Sequence, residues 1–171
     1  AAGKAPLYIV HVSAKESVDL IREARKAGDT VFGETCPQYL VLDESRYDDP
    51  EEGLKFILSP PLRAKEHQAA IWEGIKDGTL QVIATDHCSF DYHGDKQNGK
   101  DDFTKCPNGA PGVETRMPIV FSEGVSKGRM SLNKFAAVTS TNPAKIFGMY
   151  PKKGVLAVGS DADIVLMNPD M

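Results

Sequence analysis

The sequence lacks any apolar run approaching the roughly 20 residues that a membrane-spanning helix requires, and no signal-peptide pattern stands at its start. It also lacks a Lys/Arg cluster, and at a net charge of -4 nucleic acid and anionic membrane surfaces are poor partners. Cysteine is scarce: Cys36, Cys88 and Cys106 are odd in number and show no finger spacing. That suits the reduced thiols of a cytoplasmic protein. No P-loop, dinucleotide-binding glycine pattern or Gly-x-Ser-x-Gly elbow occurs, and there is no internal repeat. An initiating Met is missing too; the chain opens Ala-Ala-Gly-Lys-Ala-Pro, which need not be the natural beginning.

What remains is globular composition. With 26% charged and 41% hydrophobic residues over 171 positions, the chain can bury a real core as one domain with part of a second. Leu7–Val12 is a continuous β-branched and aromatic run, a central strand by composition. Ser13 and Glu16 match a capping box before an apolar face of Val18, Leu20, Ile21, Ala24 and Ala27 that stops at Gly28. A strand at Thr30–Thr35 follows, completing a right-handed βαβ unit. Ser59-Pro60-Pro61 ends a short apolar stretch in a rigid extended segment.

A helix over Ala64–Asp77 buries Ile71, Trp72 and Ile75, and a strand over Leu80–Ala84 succeeds it. The polar stretch from Phe90 to Pro111 reads as a long functional or mobile loop. Helices are expected over Gly112–Gly128, from an N-cap at Ser131, and again from Asn142-Pro143 to Gly148. Between Gly154 and Met167 the period shifts to two short strands. The fold class is therefore α/β: three strands with helices, half the alternation of a (β/α)8 barrel, over residues 1–150, and the start of a small β domain over 151–171.

In parallel α/β proteins chemistry collects at the carboxyl ends of strands. His11 and Asp86 both fall there, on strands two places apart, and imidazole and carboxylate are common ligands of divalent metals. Each also has a plainer reading: His11 as a core histidine bonded to a backbone carbonyl, Asp86 as a cap of the turn after its strand. His87 reads as a supporting residue, Cys88 equally as packing or contact, and His67 as a surface residue in its helix. His93 has no partner in sequence. Ser59, held before Pro60, could present a hydrogen-bonding group, and Asn108-Gly109 is a strong turn signal.

With those positions marked, the chain resembles the dihydropyrimidinase and D-hydantoinase family of cyclic amidohydrolases, in its C-terminal half. The resemblance is carried by Leu-Tyr-Ile-Val-His-Val-Ser (7–13), Gly-Glu-Thr-Cys-Pro-Gln-Tyr-Leu (33–40), Leu-Ser-Pro-Pro-Leu-Arg (58–63), Ala-Thr-Asp-His-Cys (84–88), Gly-Lys-Asp-Asp-Phe-Thr-Lys (99–105), Pro-Asn-Gly-Ala-Pro-Gly-Val-Glu (107–114) and Val-Gly-Ser-Asp-Ala-Asp-Ile-Val (158–165).

The resemblance implies a barrel beside a small β-sandwich, and two divalent cations, zinc in expectation, bridged by a carboxylated lysine from the half not present. It implies His11 as a metal ligand, Asp86 as metal ligand and proton shuttle, and Ser59 and Asn108 as holders of a cyclic imide or ureide ring, with Cys88 beside them. It further implies hydrolysis to an N-carbamoyl amino acid, a homotetramer and, for this portion alone, no activity. Rival expectations are a non-catalytic dihydropyrimidinase-related interaction protein and a sister activity such as allantoinase or dihydroorotase.

Overall fold

The computed structural model describes residues 3–169. Three parallel strands, β1 (Leu7–Ile9), β2 (Val31–Thr35) and β3 (Val82–Ile83), form one sheet in the order β1-β2-β3. Leu7 pairs with Val31 and Ile9 with Gly33, while Glu34 pairs with Val82 and Thr35 with Ile83. Helix α1 (Lys15–Lys26) crosses from β1 to β2, and α2 (Pro37–Val41) and α3 (Glu66–Asp77) intervene before β3. The expected α/β alternation is thus present.

The core lies between the sheet and helices α1 and α3. Val18 and Ile21 of α1, Ile71 and Ile75 of α3, and Val31, Leu80 and Ile83 are all buried, each worth about 1.5–3 kcal/mol of apolar transfer. Gly33 makes this approach possible: a Cβ there would meet Leu80 Cδ2 at 2.7 Å and Ile21 Cδ1 at 3.3 Å. On the outer side of β3, Arg116 donates to the Ile83 carbonyl at 2.9 Å and Asn142 Nδ2 to the Gln81 carbonyl at 2.9 Å. Side chains there satisfy groups that a further strand would otherwise take.

Several local expectations are corrected. The strands are shorter than their apolar runs. The Gly33 amide is bonded at 2.8 Å by the Gln81 side chain rather than by strand backbone, and β1 is ended by a left-handed turn at His11, φ 41°. The Ser13–Glu16 capping box is not formed. Helix α1 begins at Lys15, and its free Lys15 N–H donates to His67 Nδ1 at 3.0 Å. His67 is accordingly half-buried between two helices rather than a surface residue.

Helix α4 (Arg116–Val120) starts later than expected and runs into a π-helical turn over 121–126. Helices α5 (Leu132–Ala136) and α6 (Asn142–Ile146) are joined by a π-helical stretch over 137–141 instead of being separate. That wide turn accommodates Pro143, which offers no N–H to the preceding turn. The Ser131 cap is as expected, its Oγ accepting from Lys134 N at 3.1 Å.

The two strands expected between Gly154 and Met167 do not form among the described residues. Leu156, Val158 and Leu166 stay exposed, because a lone strand here has no neighbour to complete its ladder. Lys153 bridges Asp161 and Asp163 instead. Residues 170 and 171 of the expected second domain lie outside the described residues, as do Ala1 and Ala2 of the opening segment.

Candidate functional site

Parallel pairing puts the carboxyl ends of β1, β2 and β3 on one rim. His11 comes two residues past β1 and Asp86 three past β3, so they flank the end of β2 from either side. With strands about 4.8 Å apart, positions two strands apart begin roughly 10 Å from each other. Both residues take left-handed backbone, φ 41° at His11 and φ 50° at Asp86. Such conformations cost a non-glycine residue about 1–3 kcal/mol and gather at functional sites.

Neighbouring bonds hold these turns. Thr35 Oγ1, fully buried at the end of β2, donates to the Val12 carbonyl at 2.7 Å, and Val12 N donates to the Glu34 carbonyl at 2.7 Å. On the other side, His87 N donates to Thr85 Oγ1 at 3.2 Å, and His87 Nδ1 accepts from Gly112 N at 3.0 Å. His87 is thus a supporting residue that fastens the Asp86 turn to the start of the next segment. Among the described residues neither the His11 imidazole nor the Asp86 carboxylate has a hydrogen-bond or ion-pair partner. This removes the plainer readings of a carbonyl-bonded core histidine and an amide-capping aspartate.

One imidazole and one carboxylate on one rim, neither engaged by another side chain or backbone group among the described residues, are a donor set that suits a divalent cation. They are part of a coordination sphere only. No cluster of three or more His, Cys, Asp or Glu side chains able to hold a metal occurs among the described residues.

Ser59 and Asn108, far apart in sequence, line one cleft of about 520 Å³ together with Tyr47, Leu58 and Pro61, a size suited to a small ligand. The backbone closes it: Gly109 N donates to the Ile57 carbonyl at 3.1 Å. Cys88 does not line this cleft. It is exposed, lies against Gly109, and its N–H donates to the Ala110 carbonyl at 3.1 Å. His11 and Asp86 do not line the cleft either.

Helix α2 connects the two places. Gln38 Nε2 donates to the Thr85 carbonyl at 3.4 Å, and the Tyr39 phenol donates to the Pro60 carbonyl at 2.7 Å. Burial pushes the Tyr39 phenol up, with the nearby Cys36 thiol and Asp86 carboxylate adding to the shift. Burial likewise pushes the Cys36 thiol up, reinforced by Glu34 and Asp86, so Cys36 is an inert packing residue. Sequence reasoning assigned no role to Tyr39 or Lys96. Tyr39 stood within a quoted motif, but nothing in its local pattern reveals a partner 21 positions away.

Strand-end polar residues on a parallel sheet, with an adjacent cleft built from the following loops, define an α/β protein of the barrel type. Comparison with known proteins narrows this. Residues 8–171 match the family described as Amidohydrolase family, and the chain belongs to that family. It is 55% identical over 164 residues to a D-hydantoinase of Geobacillus stearothermophilus, covering 95% of this chain and 35% of that protein. It is 54% identical over 168 residues to a D-phenylhydantoinase of Escherichia coli O1:K1 / APEC, covering 98% and 36%.

Among solved structures, the dihydropyrimidinase from Brevibacillus agri NCHU1002 superposes with a TM-score of 0.93 at 54% identity, over 94% of this chain and 35% of that one. The chain therefore spans about a third of the length of the curated relatives it matches. The expected family resemblance and the partial-barrel fold both stand.

Proposed function

We propose that the full-length protein carrying these residues hydrolyses the cyclic amide bond of a hydantoin or dihydropyrimidine to an N-carbamoyl amino acid. The observation that carries this reading is the pair His11 and Asp86: strained, without partners among the described residues, and on one strand-end rim in a chain 55% identical to a D-hydantoinase. In this reading both residues would help hold a pair of divalent metals, zinc being one cation that takes nitrogen and carboxylate donors, and the remaining ligands, a carboxylated lysine among them, would come from outside these residues. Bound divalent cations lower the pKa of water from 15.7 to about 7 and polarise a carbonyl.

The chain's own residues then do the following. The Asp86 carboxylate accepts the proton of the attacking water and returns it to the ring nitrogen as the C–N bond breaks, a general acid–base role worth about 10²–10⁴-fold in rate. Ser59 and Asn108 hold the ring in their cleft so that its carbonyl faces the rim, and Cys88 supports the Asn108 turn from behind. Residues 1–150 contribute the end of the barrel and 151–171 lead into the β-sandwich, whose strands find their partners there. A cytoplasmic homotetramer completes the proposal.

Metal analysis and a substrate panel test it. In the full-length protein, H11A and D86N are each expected to lose metal and to lower turnover of hydantoin and dihydrouracil by about 10²-fold or more while the protein remains folded. A metal-free wild type without turnover would identify a non-catalytic relative. Preferred turnover of allantoin or dihydroorotate would move the substrate to a sister activity.

A further inference from the structure

Lys96 lies in the polar, glycine- and aspartate-rich segment after β3, where a lysine is ordinarily solvated, yet it is only 4% exposed. A buried ammonium is costly unless its protons are bonded, so the position of its Nζ is informative. It donates to the Ile57 carbonyl at 2.7 Å and to the Pro107 carbonyl at 2.8 Å, and sits 5.7 Å from the centre of the Phe90 ring. Among the described residues no carboxylate pairs with it. The cation is held by two carbonyl dipoles and an aromatic face.

Those two carbonyls belong to the two sides of the ring cleft. Ile57 stands two residues before Ser59, and Pro107 immediately precedes Asn108. The Ile57 oxygen also accepts from Gly109 N at 3.1 Å, so it is held both by the ammonium and by the opposite segment. Among the described residues, the Gly109 bond is the one hydrogen bond that would link the two stretches at Ser59 and Asn108 without the ammonium.

We propose that Lys96 is a positioning residue: its ammonium clamps the Ser59 segment to the Asn108 segment and so sets the width of the cleft that receives the substrate ring. The inference rests on the ring-binding role proposed above for Ser59 and Asn108. Lys96 takes no part in bond breaking, and its loss acts on ring binding rather than on the chemical step. Burial lowers the Lys96 pKa, and the neighbouring thiols of Cys106 and Cys88 offset part of that shift.

The test uses K96M and K96Q in the full-length protein, with steady-state kinetics on hydantoin, thermal unfolding and amide hydrogen exchange. K96M keeps the stem and removes all three donors. It is expected to raise KM about 10-fold or more with kcat within about 3-fold, and to speed exchange at 57–59, 108 and 109 alone. K96Q, one bond shorter and able to reach one carbonyl, is expected to give an intermediate KM.

Folded variants with wild-type KM and unchanged exchange overturn the clamp. So does failure of both variants to fold, or exchange accelerated throughout the protein, since the lysine would then hold the fold rather than the cleft. A wild type inactive on every cyclic amide counts against the proposed function. The exchange measurement decides the clamp in that case: local acceleration supports it and none overturns it.

Discussion

Thr35 Oγ1 donates a 2.7 Å hydrogen bond to the carbonyl of Val12, fastening the residue that follows His11 to the end of the neighbouring strand. The pair is buried, so the near-isosteric T35V leaves a buried carbonyl without its partner, at a cost of about 1–3 kcal/mol. Denaturant titration should show that loss. Metal content should fall with it, because the left-handed turn at His11 loses one of the two bonds holding Val12 in place.

Gly109 takes φ 152°, and a Cβ there would lie 2.5 Å from the Cys88 carbonyl oxygen and 2.7 Å from its Cβ. G109A is expected to cost about 1–3 kcal/mol or more and to raise KM by displacing Asn108. The control is G148A, at φ 72° with nothing within 4 Å. It carries only the backbone penalty of about 1–2 kcal/mol and should leave KM unchanged. Thermal unfolding and steady-state kinetics separate the two.

His67 Nδ1 caps helix α1 from another helix, accepting from Lys15 N at 3.0 Å, with Glu16 3.7 Å away. Replacing it with alanine should cost about 1 kcal/mol, as for loss of an N-cap. Activity and metal content should not change, since neither His67 nor the α1 start takes part in the rim or cleft. Reduced activity per folded molecule would contradict that assignment.

Asp77 is partly desolvated, which raises its pKa, but Thr79 N at 2.8 Å and Arg22 Nε at 2.9 Å more than offset this and hold it below the ordinary carboxylate value. A carboxyl depressed in the folded state stabilises it above its unfolded pKa, and the contribution vanishes as pH falls through the folded pKa. Wild type should therefore exceed D77N at pH 7 by up to about 1 kcal/mol, the pair being partly solvent-screened. The gap should narrow below about pH 4 and close in stronger acid. Urea midpoints across that range check the direction.

Much of the fold was legible in sequence because it depends on patterns a few residues long. The runs at Leu7 and Val31, the apolar faces of α1 and α3, and Gly28 and Gly78 as helix stops all act locally, and the structure forms each of them. The Ser13–Glu16 cap failed because the helix begins one residue later, with Ala14 at the cap position, and an imidazole from a distant helix takes the Lys15 N–H. The strands near Val155 and Ile164 failed because pairing needs a neighbour, which periodicity alone cannot supply.

For the site, residue types and strand-end positions were enough to single out His11 and Asp86, and turn chemistry to mark Ser59 and Asn108. The bonds that hold the left-handed turns at His11 and Asp86, the cleft joining Ser59 to Asn108, and the parts of Tyr39 and Lys96 all involve contacts across tens of residues. The amino-acid order by itself marked the candidate groups for a cation or a ring. Only the tertiary structure decided which of them meet, because parallel pairing brings strand ends to one rim and because a buried ammonium must find carbonyl oxygens wherever the folded chain presents them.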